Sequence, residues 1–215
     1  MHQSGSMIAD GVRARGSFMG KSSDIRDNLY FADPHQRVQA IQLYCCDGYG
    51  SMLWNLRSDY AERYFKAWNI QVRLAWRIPQ ETHTYLVESY FAAGQASLRS
   101  QIHGRYQKFI QKLMKSPSKE IRFLCNVLVN DPRSTIGQNV WYLNRITNSD
   151  ILRTSSTDFK KLLPVNNLPE NEVHRVRLLT TLLQVRDSKQ FEQFNLTKKQ
   201  TSDLIESLCI SCPIL

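Results

Sequence analysis

The sequence has no uninterrupted apolar run near the ~20 residues that cross a bilayer, so no membrane-spanning helix is expected. Its opening, MHQSGSMIADGVRARG, lacks an apolar h-region, so no secretory signal is expected there. The expectation is a nuclear or cytoplasmic protein, not a secreted one. No GxxxxGK[ST] phosphate loop and no GxGxxG turn occurs. No Asp-Asp doublet is present to hold two magnesium ions. Cysteine is sparse and irregular: Cys45, Cys46, Cys125, Cys209 and Cys212. An odd, unevenly spaced set does not make a disulfide framework. Cys45 and Cys46 are expected to pack as small apolar groups. Cys209 and Cys212 form CISC without a second CxxC or an HxxxH pair, so a four-ligand zinc site is not expected, nor any cofactor. The histidines, at positions 2, 35, 83, 103 and 174, are scattered. His83, in PQETHTYL, has no visible acid, base or nucleophile partner, so Thr82 is expected to cap a helix and His83 to pack in its first turn. No catalytic residue is assigned and no enzyme activity is expected.

What is present is helical periodicity in a globular composition, 42% apolar and 22% charged. There is no strand alternation and no fixed-period repeat. The fold class expected is all-α: a helical bundle of about six to eight helices with a small C-terminal helical subdomain. Residues 1–32 are expected to be irregular or weakly helical, because Gly16 and Gly20 weaken a helix. Asp33-Pro34 starts a helix carrying Val38, Ile41, Cys45, Tyr49 and Met52 toward residue 54. Asp59 with Glu62 begins the next, to about Arg77, with Pro79 beyond it. Further helices are expected over 82–94, 96–115, 119–129 and, capped by Ser134, to Ile146. The polar stretch 147–169 reads as a connector between residues 33–146 and a subdomain at 170–215. The latter holds helices 170–185 and 197–208, with Thr197 and Gln200 as a capping box.

The net charge of +9 is unevenly spread. Residues 57–122 hold 12 Lys/Arg against 5 Asp/Glu, and the rest of the chain 16 against 14. A concentrated cationic region favours polyanions. In RYFKAWNIQVRLAWRIP (Arg63–Pro79), a 100° step per residue separates two chemistries. Tyr64, Phe65, Trp68 and Trp76 fall on one face, expected in the core, and Arg63, Lys66, Arg73 and Arg77 on an opposite, outward stripe. Arg105, Lys108, Lys112 and Lys115 repeat such a ladder on the 96–115 helix, with Ile102, Phe109, Ile110 and Leu113 on its buried side. Neither ladder carries an acidic residue. The first would be about 20 Å long and span several phosphates, without reading base identity.

Two further segments have distinctive spacing. YCCDGYGSMLWNL (Tyr44–Leu56) is followed by KAWNIQVRLAWRIPQETH (Lys66–His83). Their pattern is Tyr49, Gly50, Ser51, Leu53 and Trp54, then Trp68, Arg73, Pro79, Thr82 and His83. Later come Ser116-Pro117, then Arg122-Phe123-Leu124, then Asp131, Arg133, Ser134, Gly137 and Asn139. In order and spacing, residues 12–145 resemble the region after the polymerase core of LINE-like, non-LTR retrotransposon reverse transcriptases. The resemblance implies a helical thumb that grips a template–primer duplex, with RNA, DNA or an RNA–DNA hybrid as non-sequence-specific partner and the missing polymerase core as a second partner. The family's YxDD carboxylates and endonuclease are absent, so it implies a non-catalytic C-terminal fragment. The alternative is a helical protein-interaction module whose basic faces meet an acidic partner.

Overall fold

The computed structural model describes residues 4–46, 50–92, 97–163 and 172–210, and these contain helices and turns but no strand. The first helix, α1 (Ser4–Asn28), runs unbroken through Gly16 and Gly20, where an irregular segment was expected. Tertiary anchoring offsets the glycines' cost. Phe18 is buried edge-on to Tyr64, ring centres 5.7 Å apart. Gly11 sits so close to the Tyr60 ring that an added Cβ would come within 2.5 Å of it.

Helix α2 (Pro34–Cys45) starts as Asp33-Pro34 predicts: Asp33 Oδ1 accepts from the His35 amide at 2.7 Å, and Gln36 Oε1 accepts from the Asp33 amide. It ends earlier than expected. Gly50, at φ 78°, enters a short 3-10 turn over Ser51–Leu53 instead of continuing a helix. Tyr49 and Gly48 lie outside the described residues. Cys45 and Cys46 are both buried thiols.

Helix α3 (Asp59–Trp76) is capped one residue before the expected position. The Ser58 hydroxyl accepts from the Ala61 amide, while Glu62 turns to bind Arg99. After Pro79, the Thr82 hydroxyl donates to the Pro79 carbonyl at 2.7 Å, so Thr82 closes that turn rather than capping a helix. His83 holds the N-cap position of the short α4 (Thr84–Leu86), which passes into a π-helical turn at Val87–Phe91. Serines cap the next four helices: Ser97 for α5 (Leu98–Met114), Ser118 for α6 (Lys119–Asn130), Ser134 for α7 (Thr135–Thr147) and Ser155 for α8 (Ser156–Leu162). Helix α8 lies within the expected connector and is held by buried Phe159. Then come α9 (Val173–Ser188) and α10 (Lys198–Ile210). The expected capping box forms: Thr197 N donates to Gln200 Oε1 and Gln200 N to Thr197 Oγ1.

The chain forms two compact units that interleave in sequence. Met1–Tyr30, Ala40–Trp68 and Ala96–Pro164 make the first; Phe31–Gln39, Asn69–Gln95 and Val165–Leu215 make the second. This division differs from the contiguous one expected at residues 33–146 and 170–215. In the first unit Trp54, Tyr64, Trp68, Ile102, Tyr106 and Ile110 are fully or almost fully buried. In the second, Leu86, Phe91, Leu179 and Cys209 are. In that unit His83, Tyr85, Glu172 and Arg175 form a polar joint. His83 N donates to the Cys209 carbonyl, its Nε2 lies 2.9 Å from the Ile210 carbonyl oxygen, and its ring stacks on Tyr85. Arg175 pairs with buried Glu172 at 3.0 Å and donates to the Leu208 carbonyl. Burial, then the bond to Glu172, pushes the Tyr85 phenol up to about 12.

Candidate nucleic-acid interface

The aromatic face of α3 is buried as the helical wheel requires: Tyr64, Phe65, Trp68 and Trp76 all lie in a core. The cationic stripe opposite them is real only in its first half. Arg63 and Lys66 are exposed. Arg73 is not: only 8% of it is accessible, and its Nε and Nη2 donate to the Thr82 carbonyl at 3.2 and 2.6 Å. The reason lies in the second unit, where Asn69, Gln71, Val72, Ala75 and Trp76 are also buried, so α3 has no outward stripe at this level. Desolvation lowers the Arg73 pKa, and Glu88 and Glu81 work against that shift. Arg77 is exposed but lies one residue past the helix, at φ 53°, off the stripe. Arg186 donates to the Trp76 and Arg77 carbonyls there, at 2.9 and 2.8 Å, and so completes the helix's C-terminal turn. Arg73 therefore belongs to the interior of the second unit rather than to a ladder, and Arg77, though exposed, stands beyond the helix and off its stripe.

On α5 the row is better preserved. Lys108, Lys112 and Lys115 are exposed, and no carboxylate among the described residues forms an ion pair with any of them. They span seven residue steps, about 10 Å along the axis, with Lys115 at the C-cap just past the helix. Arg105 is half-buried instead, its Nη2 donating to the Cys46 carbonyl at 2.6 Å. Ile102 and Ile110 are buried, whereas Phe109 and Leu113 are only half-buried. Gln107 and Gln111 supply the rest of the inner side, both donating to the Ile151 and Thr154 carbonyls. The start of α5 is fastened to the first half of α3: Arg99 Nη2 reaches both Glu62 oxygens, at 2.7 and 2.6 Å, and its guanidinium lies over the Phe65 ring.

His103 completes this inner side. Its ring meets Phe65 and Tyr142 edge-on, and its Nε2 is buried without a hydrogen-bond partner. Burial, with Arg99 nearby, holds its pKa down to about 3, against an ordinary value of 6.5. Below pH 6.5 the unfolded chain therefore binds a proton that the folded chain refuses. Stability falls as pH drops from 6.5 toward 3, by up to about 1.4 kcal/mol per pH unit from this group. In urea unfolding between pH 7 and 4.5, His103→Leu is expected to flatten the acid loss, and an unchanged slope would remove His103 as its source.

The sequence did not reveal two further features of the first unit. One is a cavity of about 710 Å³ with Ile8, Val12 and Arg15 of α1 on one side and Tyr60 and Arg63 of α3 on the other. At its edge Gly11 lets α1 close on the Tyr60 ring, whose hydroxyl accepts from the Asn55 amide at 3.1 Å. The other is Trp141, 54% exposed on α7, with Arg57 and Arg145 at 5.8 and 5.5 Å from its ring. Nearby in sequence, α6 shows water an apolar side: Phe123 is 67% exposed, Leu124 and Val127 are exposed too, and only Cys125 is buried.

The spaced residues read from the sequence meet one another. Asn139 Nδ2 donates to the Trp54 carbonyl at 2.7 Å, and its Oδ1 accepts from the Leu56 amide at 2.9 Å. Asn55 Nδ2 donates to Gln138 Oε1. Arg122 donates to the Ser116 and Pro117 carbonyls, and Arg133 pairs with Asp131. The Asn139 and Arg122 bonds explain those two residues through folding, without a ligand, whereas Arg133 is a 92% exposed surface residue. Among the described residues no group of three or more His, Cys, Asp or Glu side chains is arranged to hold a metal ion. Cys209 is a buried thiol pushed up by desolvation, and Cys212 lies outside the described residues. No helix among the described residues is long and apolar enough to cross a membrane. No family model matches the chain, and no curated protein or solved structure matches it either.

Proposed function

We propose that the chain is a non-catalytic nucleic-acid-binding module that holds a duplex by its phosphates. The observation that carries this reading is the row Lys108, Lys112 and Lys115, exposed on one side of α5 and free of carboxylate ion pairs among the described residues. Solvated helices that serve no polyanion ordinarily mix charge signs along a face. Arg63 and Lys66 of α3, in the same unit, add two more exposed cations. The resemblance of residues 12–145 to the segment after a retrotransposon reverse-transcriptase core supports an RNA–DNA template–primer duplex as the ligand, and the polymerase core as a partner.

The test is fluorescence anisotropy with a labelled RNA–DNA hybrid across a salt series. Each lysine on a phosphate contributes roughly 0.9 to the log–log salt slope on B-form DNA. Replacing Lys108, Lys112 and Lys115 together by alanine is expected to weaken binding for all sequences and shallow the slope by about 2 to 3. An unchanged slope, or no binding at low salt by the folded wild type, would reject this reading.

A second reading is a helical protein-interaction module whose basic faces meet an acidic partner, and the exposed apolar side of α6 supports protein docking as such. Recovery of one acidic protein in a pull-down that survives nuclease treatment would support it, and loss of that protein on nuclease treatment would end it.

A further inference from the structure

We propose that Trp141, with Arg57 and Arg145, forms a stacking platform for an unpaired base, so that the first unit takes single-stranded nucleic acid in addition to duplex. This rests on the reading above and adds a ligand state to it.

The three side chains are placed by the fold. Arg145 follows Trp141 by four residues on α7, one turn along the same face. Arg57 belongs to the loop before α3, and that loop is tied to α7 just ahead of Trp141 through the Trp54, Asn55 and Leu56 bonds to Gln138 and Asn139. The Arg57 amide also donates to Asn55 Oδ1 at 3.0 Å, which fixes the turn on which its side chain stands. Stability does not account for the arrangement. An exposed cation–π contact contributes only about 0.5–1 kcal/mol, and a tryptophan left half in water forgoes about half of its burial.

The chemistry selects the ligand class. An indole face stacks on any base, and the exposed guanidiniums that lie over the ring can move aside to stack on that base in turn or bind the phosphates that flank it. Neither Arg57 nor Arg145 forms an ion pair with a carboxylate among the described residues, so both charges are available to a polyanion. An apolar protein surface pressed onto Trp141 would have to desolvate both guanidiniums without compensation. A duplex presents no open base face except at its ends. The platform therefore favours a single strand or an overhang.

The protein carries its own reporter. Of its four tryptophans, Trp54, Trp68 and Trp76 are buried, and Trp141 is the exposed one. The experiment adds a thymidine 20-mer, and separately a blunt duplex of that length, to the whole chain while recording tryptophan emission and anisotropy. The single strand is expected to quench emission in the wild type and not in Trp141→Ala. Its affinity is expected to drop about tenfold in that variant, with blunt-duplex affinity unchanged and Trp141→Phe retaining most single-strand binding. Single-strand affinity equal in wild type and Trp141→Ala, while the triple lysine variant loses binding to both probes, would overturn the platform and leave the duplex reading intact. Absence of binding to either probe by the folded wild type would overturn both.

Discussion

Gly137→Ala is expected to destabilise the first unit by about 3 kcal/mol, the cost of overpacking a site that cannot relax. An added Cβ would overlap the Asp131 carbonyl oxygen and come within 3.0 Å of the Leu128 oxygen, both backbone atoms. The turn between α6 and α7 is this tight because of Ser134. Its hydroxyl lies 2.5 Å from the Leu128 oxygen and 3.0 Å from the Asp131 oxygen, and it accepts from the Gly137 amide at 2.8 Å. Opening the turn to admit a methyl group would break that cap. Gly104→Ala is the control. It lies inside α5 with nothing within 4 Å of an added Cβ, so it is expected to gain about 0.5–1 kcal/mol from the unfolded chain's lost freedom. Denaturant midpoints for the two variants should move in opposite directions. Equal shifts would show that the α6–α7 turn has room to yield.

Arg73→Ala is expected to cost about 2–4 kcal/mol while barely changing nucleic-acid affinity measured on the folded protein. The substitution leaves the buried Thr82 carbonyl without its two donors and removes a side chain from a filled interior. Arg73→Lys should rescue little, because one ammonium cannot reproduce a planar guanidinium that gives Nε and Nη2 to one oxygen. Lys66→Ala should behave in the opposite way, with stability within about 0.5 kcal/mol of wild type and a shallower salt slope. If Arg73→Ala instead folds normally and loses salt dependence, Arg73 faces a phosphate and not Thr82. A variant that joins Arg63, Lys66, Arg73 and Arg77 would confuse unfolding with lost contact, so the two halves of that series are best separated.

The helices themselves were legible, because serine caps and proline stops are local chemistry. Ser134 and the Thr197–Gln200 box sit where their side chains can reach backbone amides only at a helix start. The burial of Trp68 and Tyr64 followed from periodicity alone. Arg73 was misplaced by the same periodicity, since a wheel assumes that one side of a helix faces water along its whole length. That assumption fails over the second half of α3, which is buried within the second unit. Helix α6 errs the other way: its amphipathic pattern is strong, yet its apolar side is the exposed one. Trp141 was missed because part of its setting comes from Arg57, far away in sequence.

The interleaving of the two units bears on how the chain is made. The first unit has all its residues once position 164 has been synthesised, whereas the second still lacks everything from 165 onward. Its segments at 31–39 and 69–95 carry Leu86 and Phe91, which are fully buried in the folded unit and are made before α9 and α10 of that unit. Until residues 165–215 follow, the second unit is incomplete while the first can already fold, and apolar side chains left uncovered in that interval are what a chaperone shields.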